Sequence, residues 1–171
     1  MLTREDYEKI YASLNAVSPA NFDCGTVCGE ACCACGPDLG LWLMPGEEAM
    51  HDPTDSWLKW EAVDPREAGF PPSWKEPVWF VQCDGSRHCK RELRPIQCRT
   101  FPLMPIVNER GEVDLILNDM DLPYHCPLIE SNARLTPEFV AANLEAWQRL
   151  CTDPRIYDYC LQLGTYDDDE K

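Results

Sequence analysis

The stretch CGTVCGEACCACG places five cysteines within residues 24–35, two of them adjacent, with small or polar residues between. Thiols at this density are metal ligands or redox groups: a thiolate binds zinc at about 2.3 Å, and a tight turn can present two of them to one ion. The first set runs Cys24-x3-Cys28-x3-Cys32-Cys33, and a second, far along the chain, runs Cys83-x5-Cys89-x8-Cys98 with Cys126 later. These eight cysteines predict a cage of one polynuclear site or two mononuclear ones. Adjacent cysteines generally direct their side chains apart, so Cys32 and Cys33 are expected to serve two neighbouring centres, a pair of ions or a cluster between residues 24–35 and 83–98. Bound metal would pin the glycine-containing loop to the fold and add folding free energy that the loop cannot draw from apolar burial.

The other candidates read differently. Cys151 at a helix end and Cys160 on a helix are expected to be small buried hydrophobes. Cys35 is either a spare thiol or a replacement for Cys32 or Cys33. His88 precedes Cys89 and His125 precedes Cys126, an echo that suggests ligands, although a surface or core position is the commoner fate of a histidine. His51, in a breaker-rich stretch, carries no signal. The segment SRHCKRELRPIQCR, which follows Cys83 and contains Cys89 and Cys98, concentrates Arg87, Lys90, Arg91, Arg94 and Arg99 among these three cysteines. Arg94 and Arg99 are the candidates for offsetting the negative charge of a thiolate site or holding an anionic substrate; the plainer alternative is surface ion pairing in an acidic protein. No nucleophile-base pair or carboxylate pair stands out among 30 acidic residues.

The chain has 171 residues, with 15 Lys and Arg against 30 Asp and Glu, a net charge of -15. Such a field repels phosphate backbones and anionic lipid surfaces, so neither nucleic acid nor membrane is an expected partner, and metal ions are. No apolar run has signal-peptide or membrane-spanning length, so a soluble, cytoplasmic protein is expected. In that compartment thiols stay reduced, and eleven cysteines, an odd number, point to metal rather than to a disulfide framework.

The elements that must position these residues are legible in part. Residues 3–14 read as an amphipathic helix capped by Thr3, with Tyr7, Ile10, Tyr11 and Leu14 on its buried face. The cysteine-rich segment reads as a loop shaped by what it binds. Residues 39–50 pass from an apolar run into a helix start at Pro45, and residues 51–77, rich in Pro and Trp, read as irregular cover with one short helix over 56–62. Residues 78–83 have strand composition, and 103–107 with 112–118 form a predicted hairpin, Pro105 marking an edge; these give three strands in one small sheet. Thr136-Pro137 starts a helix burying Phe139, Val140, Leu144, Trp147 and Leu150, and Asp153-Pro154 starts a second ending near Gly164. The expectation is a single α+β domain, helices around a short antiparallel sheet with irregular metal-stapled cysteine loops. Its parts are an N-terminal helix in 1–18, a metal-binding core over 19–130, helices over 131–164 and a disordered tail over 165–171.

CGTVCGEACC, CDGSRHCKRELRPIQCRTFPL and the late cysteine of HCPLI together resemble the YkgJ-like cysteine-cluster proteins, described as zinc- or iron-chelating domains. The similarity runs from Cys24 to Cys126, about 60 % of the chain. Its most specific part is Arg94-Pro95-Ile96-Gln97-Cys98-Arg99-Thr100-Phe101-Pro102, which meets every fixed position of an RPxxCRxFP signature. The first cluster, C-x3-C-x3-CC, is more widely spaced than the group's CxxCxxCC-like pattern. The resemblance implies zinc or iron held by the cysteines. It also relates the chain to the flagellin lysine N-methylases, whose cysteines are assigned to an iron-sulfur centre.

Three functions follow as expectations: a structural or metal-handling protein, an iron-sulfur enzyme of redox or methyl-transfer chemistry, or a module whose Cys32-Cys33 pair is a reactive dithiol beside basic residues. C-x3-C-x3-C misses the radical-SAM spacing by one residue, and no GxGxxG loop is present.

Overall fold

The computed structural model describes residues 1–33, 39–118, 122–130 and 134–168. Helix α1, Arg4–Asn15, starts where expected: the Thr3 hydroxyl accepts from the Asp6 N–H at 3.3 Å, and the Asp6 carboxylate accepts from the Thr3 N–H at 2.9 Å. Its stripe of Tyr7, Ile10, Tyr11 and Leu14 is buried. Beyond the short helices α2 (Cys24–Cys28), α3 (Ile96–Thr100) and α4 (Pro127–Glu130) come two long ones, α5 (Pro137–Leu150) and α6 (Pro154–Asp168). Thr136 caps α5 through its hydroxyl, and α5 packs on α1. The buried stripe of α5 is Phe139, Asn143, Ala146, Trp147 and Leu150, one continuous 3.6-residue track. Val140 is exposed and Leu144 half-buried, because both lie on the flank of that track. Helix α6 extends past Gly164 to Asp168, so the expected disordered tail begins with helix; residues 169–171 lie outside the described residues.

The strands form two sheets rather than the one expected. In the first, β1 (Leu41–Trp42), β2 (Leu58–Val63) and β3 (Val78–Cys83) are antiparallel in the order β1-β3-β2, with Leu58 opposite Cys83 and Val63 opposite Val78. The second is the predicted hairpin, β4 (Leu103–Val107) and β5 (Val113–Leu117), closed by an Asn108 side chain that accepts from the Arg110 and Glu112 N–H groups. In a two-stranded sheet both strands are edges, which accommodates Pro105. Strand β2 stands where a short helix was expected over 56–62. Leu58 and Trp60 face inward while Lys59 and Glu61 are exposed, a period of two that pairs with β3 along its whole length. Residues 47–50 form one 3-10 turn, not an α-helix.

Fold class is as expected, a small α+β protein with helices around short antiparallel sheets. The main apolar core joins α1, α5 and α6 with Met44, Phe70, Trp74 and Ile96. Trp74, in the segment expected to be irregular cover, stacks on Phe70 at 4.4 Å and donates its indole N–H to the Arg155 carbonyl at 2.7 Å. Two smaller clusters flank the cysteine segments. Leu43, Trp57, Leu58 and Val81 pack with Cys89 and Leu93, and Ala20, Cys126 and Leu128 pack with Cys24 and Phe101. A fully buried aliphatic or aromatic side chain contributes about 1.5–3 kcal/mol, so these clusters give the cysteine segments apolar anchorage of their own.

Candidate metal centre

Four separate pieces of chain deliver the eight cysteines. The first is not the shapeless loop expected: Asp23 caps α2 by accepting from the Gly25 N–H at 3.0 Å, and Gly29 ends it in the left-handed conformation (φ 65°). Cys24 and Cys28 stand at the two ends of α2, and a 3-10 turn over Ala31–Cys33 follows. Glu30, between them, holds φ 59°, a region costly for a side chain. Its carboxylate accepts from the Ser86 hydroxyl, tying this segment to the turn after Cys83. Strand β3 ends at Cys83, and a turn with Gly85 at φ 84° leads to Cys89. Cys98 sits within α3, and Cys126 immediately precedes α4.

The thiols form one electrostatic network. The charges of Cys28 and Cys126 act on Cys24; those of Cys28, Cys33 and Cys98 act on Cys32. Cys83 acts on Cys33, both act on Cys98, and Cys83 and Cys98 act on Cys89. Six of the eight, Cys24, Cys28, Cys32, Cys33, Cys98 and Cys126, line one cavity of about 910 Å³. The Cys32 and Cys33 sulfurs are 4.0 Å apart, so the adjacent side chains do not diverge as expected: the 3-10 turn brings them together. That spacing is close to the edge of roughly 3.8 Å set by four thiolates at 2.3 Å around a tetrahedral ion. Among the described residues, no three ligating side chains already stand in coordinating position.

Proton sharing orders the thiols. A hydrogen bond from Cys32 brings the Cys33 thiol down to about 7, and one from Cys89 brings Cys83 down to about 6. The donors Cys32 and Cys89 are correspondingly raised. Burial pushes Cys98 up to about 11 and also raises Cys24.

The two arginines part company. The Arg94 charge favours the thiolates of Cys33, Cys89 and Cys98, and its Nε donates to the Arg91 carbonyl at 3.2 Å. Arg99 is buried and spent on structure: it donates to the Arg94 and Glu92 carbonyls and to the Asn15 side chain, with its guanidinium 4.0 Å over the Tyr11 ring. It fastens the turn that carries Arg94 to the end of α1, while its charge adds a smaller pull on Cys98. Both line the cavity, with Arg91 beside them.

His88 and His125 are exposed and each pairs with a carboxylate, Asp84 at 3.0 Å and Glu130 at 2.8 Å. Cys151 and Cys160 are remote from the network, their sulfurs 3.5 Å from each other. Cys160 is fully buried, as expected, and Cys151 half-buried. Cys35 lies outside the described residues.

Sequence reasoning missed the group that seats Cys98. Glu47, 0 % exposed, accepts from the Tyr11 hydroxyl at 2.7 Å, the Met44 N–H at 2.8 Å and the Ile96 N–H at 2.6 Å. It thereby joins α1 to the first turn of α3, two residues before Cys98. Burial pushes its carboxyl up to about 7 against these hydrogen bonds and the Arg99 charge. His51, also overlooked, sets Nε2 3.2 Å from the same Tyr11 hydroxyl. As one acid among 30, Glu47 had only its place in the apolar stretch LWLMPGEE to mark it.

No protein-family model matches the chain, nor does any curated protein or solved structure, so the likeness to the YkgJ-like group is carried by the motif residues alone.

Proposed function

We propose that this protein binds zinc or iron, as separate ions or as an iron-sulfur cluster, through Cys24, Cys28, Cys32, Cys33, Cys83, Cys89, Cys98 and Cys126, in the manner of the YkgJ-like group, with a structural or metal-handling role. The observation that carries this reading is geometric: Cys24, Cys28, Cys32, Cys33, Cys98 and Cys126, from three segments spanning about a hundred residues, line one cavity, and the charge of Cys83 bears on Cys33, Cys89 and Cys98. Metal would displace the protons now shared within the Cys32–Cys33 and Cys83–Cys89 pairs and draw the sulfurs inward, and Arg94 would offset part of the thiolate charge. A reducing compartment such as the cytoplasm suits this role, and a net charge of -15 disfavours nucleic acid or anionic lipid as partner.

Two alternatives have observations of their own. The 4.0 Å contact of Cys32 with Cys33 suits a vicinal dithiol that closes and opens by exchange. The cavity of about 910 Å³, with Arg91 and Arg94 at its wall, is large enough for the substrate of an iron-sulfur enzyme. Metal analysis with an absorption spectrum, on protein purified without oxygen, separates the three. Zinc without visible colour supports the structural or metal-handling role, and iron with sulfide and brown absorption supports the enzyme. Protein that holds no metal and takes up none when reconstituted overturns metal binding and leaves the dithiol.

A further inference from the structure

We propose that Cys151 and Cys160 form a second thiol site, separate from the metal-binding thiols, which a hydroperoxide oxidises to a disulfide joining α5 to α6. Cys151 is the residue at which α5 ends, and Cys160 lies in the second turn of α6. Their sulfurs are 3.5 Å apart, in van der Waals contact, and a disulfide at about 2.0 Å requires an approach of roughly 1.5 Å, within the reach of side-chain rotation.

The corner between the helices holds them in opposition. The Asp153 N–H donates to the Leu150 carbonyl at 3.0 Å, the Tyr157 N–H donates to the Asp153 carbonyl at 3.0 Å, and Arg155 grips the Asp153 carboxylate at 2.8 and 2.9 Å. Two packed thiols with no further role would satisfy burial equally. What sets this pair apart is an asymmetry suited to chemistry: Cys151 is half-buried and accessible, whereas Cys160 is 0 % exposed in the main core, its sulfur in contact with that of Cys151. Among the described residues each is the other's one thiol neighbour, so metal at the eight-cysteine site leaves the pair available.

In the reaction the Cys151 thiolate attacks one peroxide oxygen; an S–O bond forms, the O–O bond breaks, and the leaving oxygen departs as water (or an alcohol) after taking a proton. The Cys160 sulfur then attacks the Cys151 sulfenic acid, the S–O bond breaks, and a second water leaves with the Cys160 proton. Two thiols and one hydroperoxide become one disulfide and two hydroxylic products, and the buried resolving thiol intercepts the sulfenic acid before further oxidation.

Trypsin cuts after Arg149 and Arg155, so the disulfide would link peptide 150–155 to peptide 156–171. The metal-loaded full-length protein is treated with a few equivalents of hydrogen peroxide, alkylated and digested, with a small-molecule thiol present as a standard. The linked peptides are expected, lost on reduction, together with a rise in the melting midpoint of roughly 5 °C that reduction reverses. Cys151→Ser, a near-isosteric change at a half-buried position, is expected to melt near the reduced protein and to lose the peroxide-dependent rise. Recovery of both cysteines as alkylated thiols once the standard is oxidised overturns the proposal, as does irreversible oxidation of Cys151 with Cys160 untouched. Neither result bears on metal binding, which is read separately by metal analysis.

Discussion

Arg99 brings a full charge into the interior, and its three acceptors and the Tyr11 ring compensate for lost hydration. A lysine offers a point charge in place of a planar fork and leaves carbonyls unpaired. Arg99→Lys is therefore expected to destabilise the fold by roughly 2–4 kcal/mol, measured by urea unfolding. Identical letters in the signature thus do different work: Arg99 holds the turn, and Arg94 faces the thiols. Spacing could not distinguish them, because burial depends on α1 crossing behind α3. His51 presents a second test. Burial lowers it from 6.5 to about 4, so in that interval the unfolded chain binds more protons than the folded one. Its contribution to stability is full above pH 6.5 and is lost as pH falls toward 4. Glu47, raised from 4.5 to about 7, has the opposite slope between those values, and the two partly cancel. His51→Phe removes one slope alone, so the stability of the natural protein relative to this variant is expected to fall on acidification from pH 6.5 to 4, read by denaturant titration at each pH.

At the level of elements, short segments owe their form to the surfaces they meet. Strand β1 has two residues and lies close against β3 only because Gly40 precedes it: a Cβ there would lie 2.3 Å from the Phe80 ring and 2.7 Å from the Val81 carbonyl. Gly40→Ala is expected to cost about 1–3 kcal/mol and to loosen β1, seen as faster amide exchange at Leu43, whose N–H donates to the Trp79 carbonyl. The cap of α5 is local, and Thr136→Ala is expected to cost about 1 kcal/mol in thermal unfolding. Helices α1 and α5 were legible from caps and 3.6-residue periodicity because these act within a few residues. Strand β2 was not, since the Pro- and Trp-rich sequence around it hides the alternation and β3, its partner, lies fifteen residues on. Likewise α2 has five residues, too few for a periodic signal, and is held by Asp23, Gly29 and the apolar cluster around Cys126.

For the molecule as a whole, the large core around α1, α5 and α6 contains none of the eight ligating candidates, while Cys24, Cys89 and Cys126 belong to the two small clusters. Removal of metal with a strong chelator is accordingly expected to leave α1 and α5 protected from hydrogen exchange and to expose residues 24–33 and 83–98. Global unfolding would show instead that metal holds the entire fold, and unchanged exchange in both regions would count against bound metal. The described helices include none long and apolar enough to cross a membrane. What the chain determined by itself was the inventory: which side chains can ligate, the acidic excess, the helix starts and the hairpin, all fixed by residue type and near-neighbour spacing. Only the tertiary structure decided which thiols meet, which arginine faces them, that a buried glutamate seats Cys98, and that Cys151 and Cys160 pair apart from the rest. Those outcomes depend on contacts between residues tens of positions apart, where burial and packing select the partner and local sequence carries no record of it.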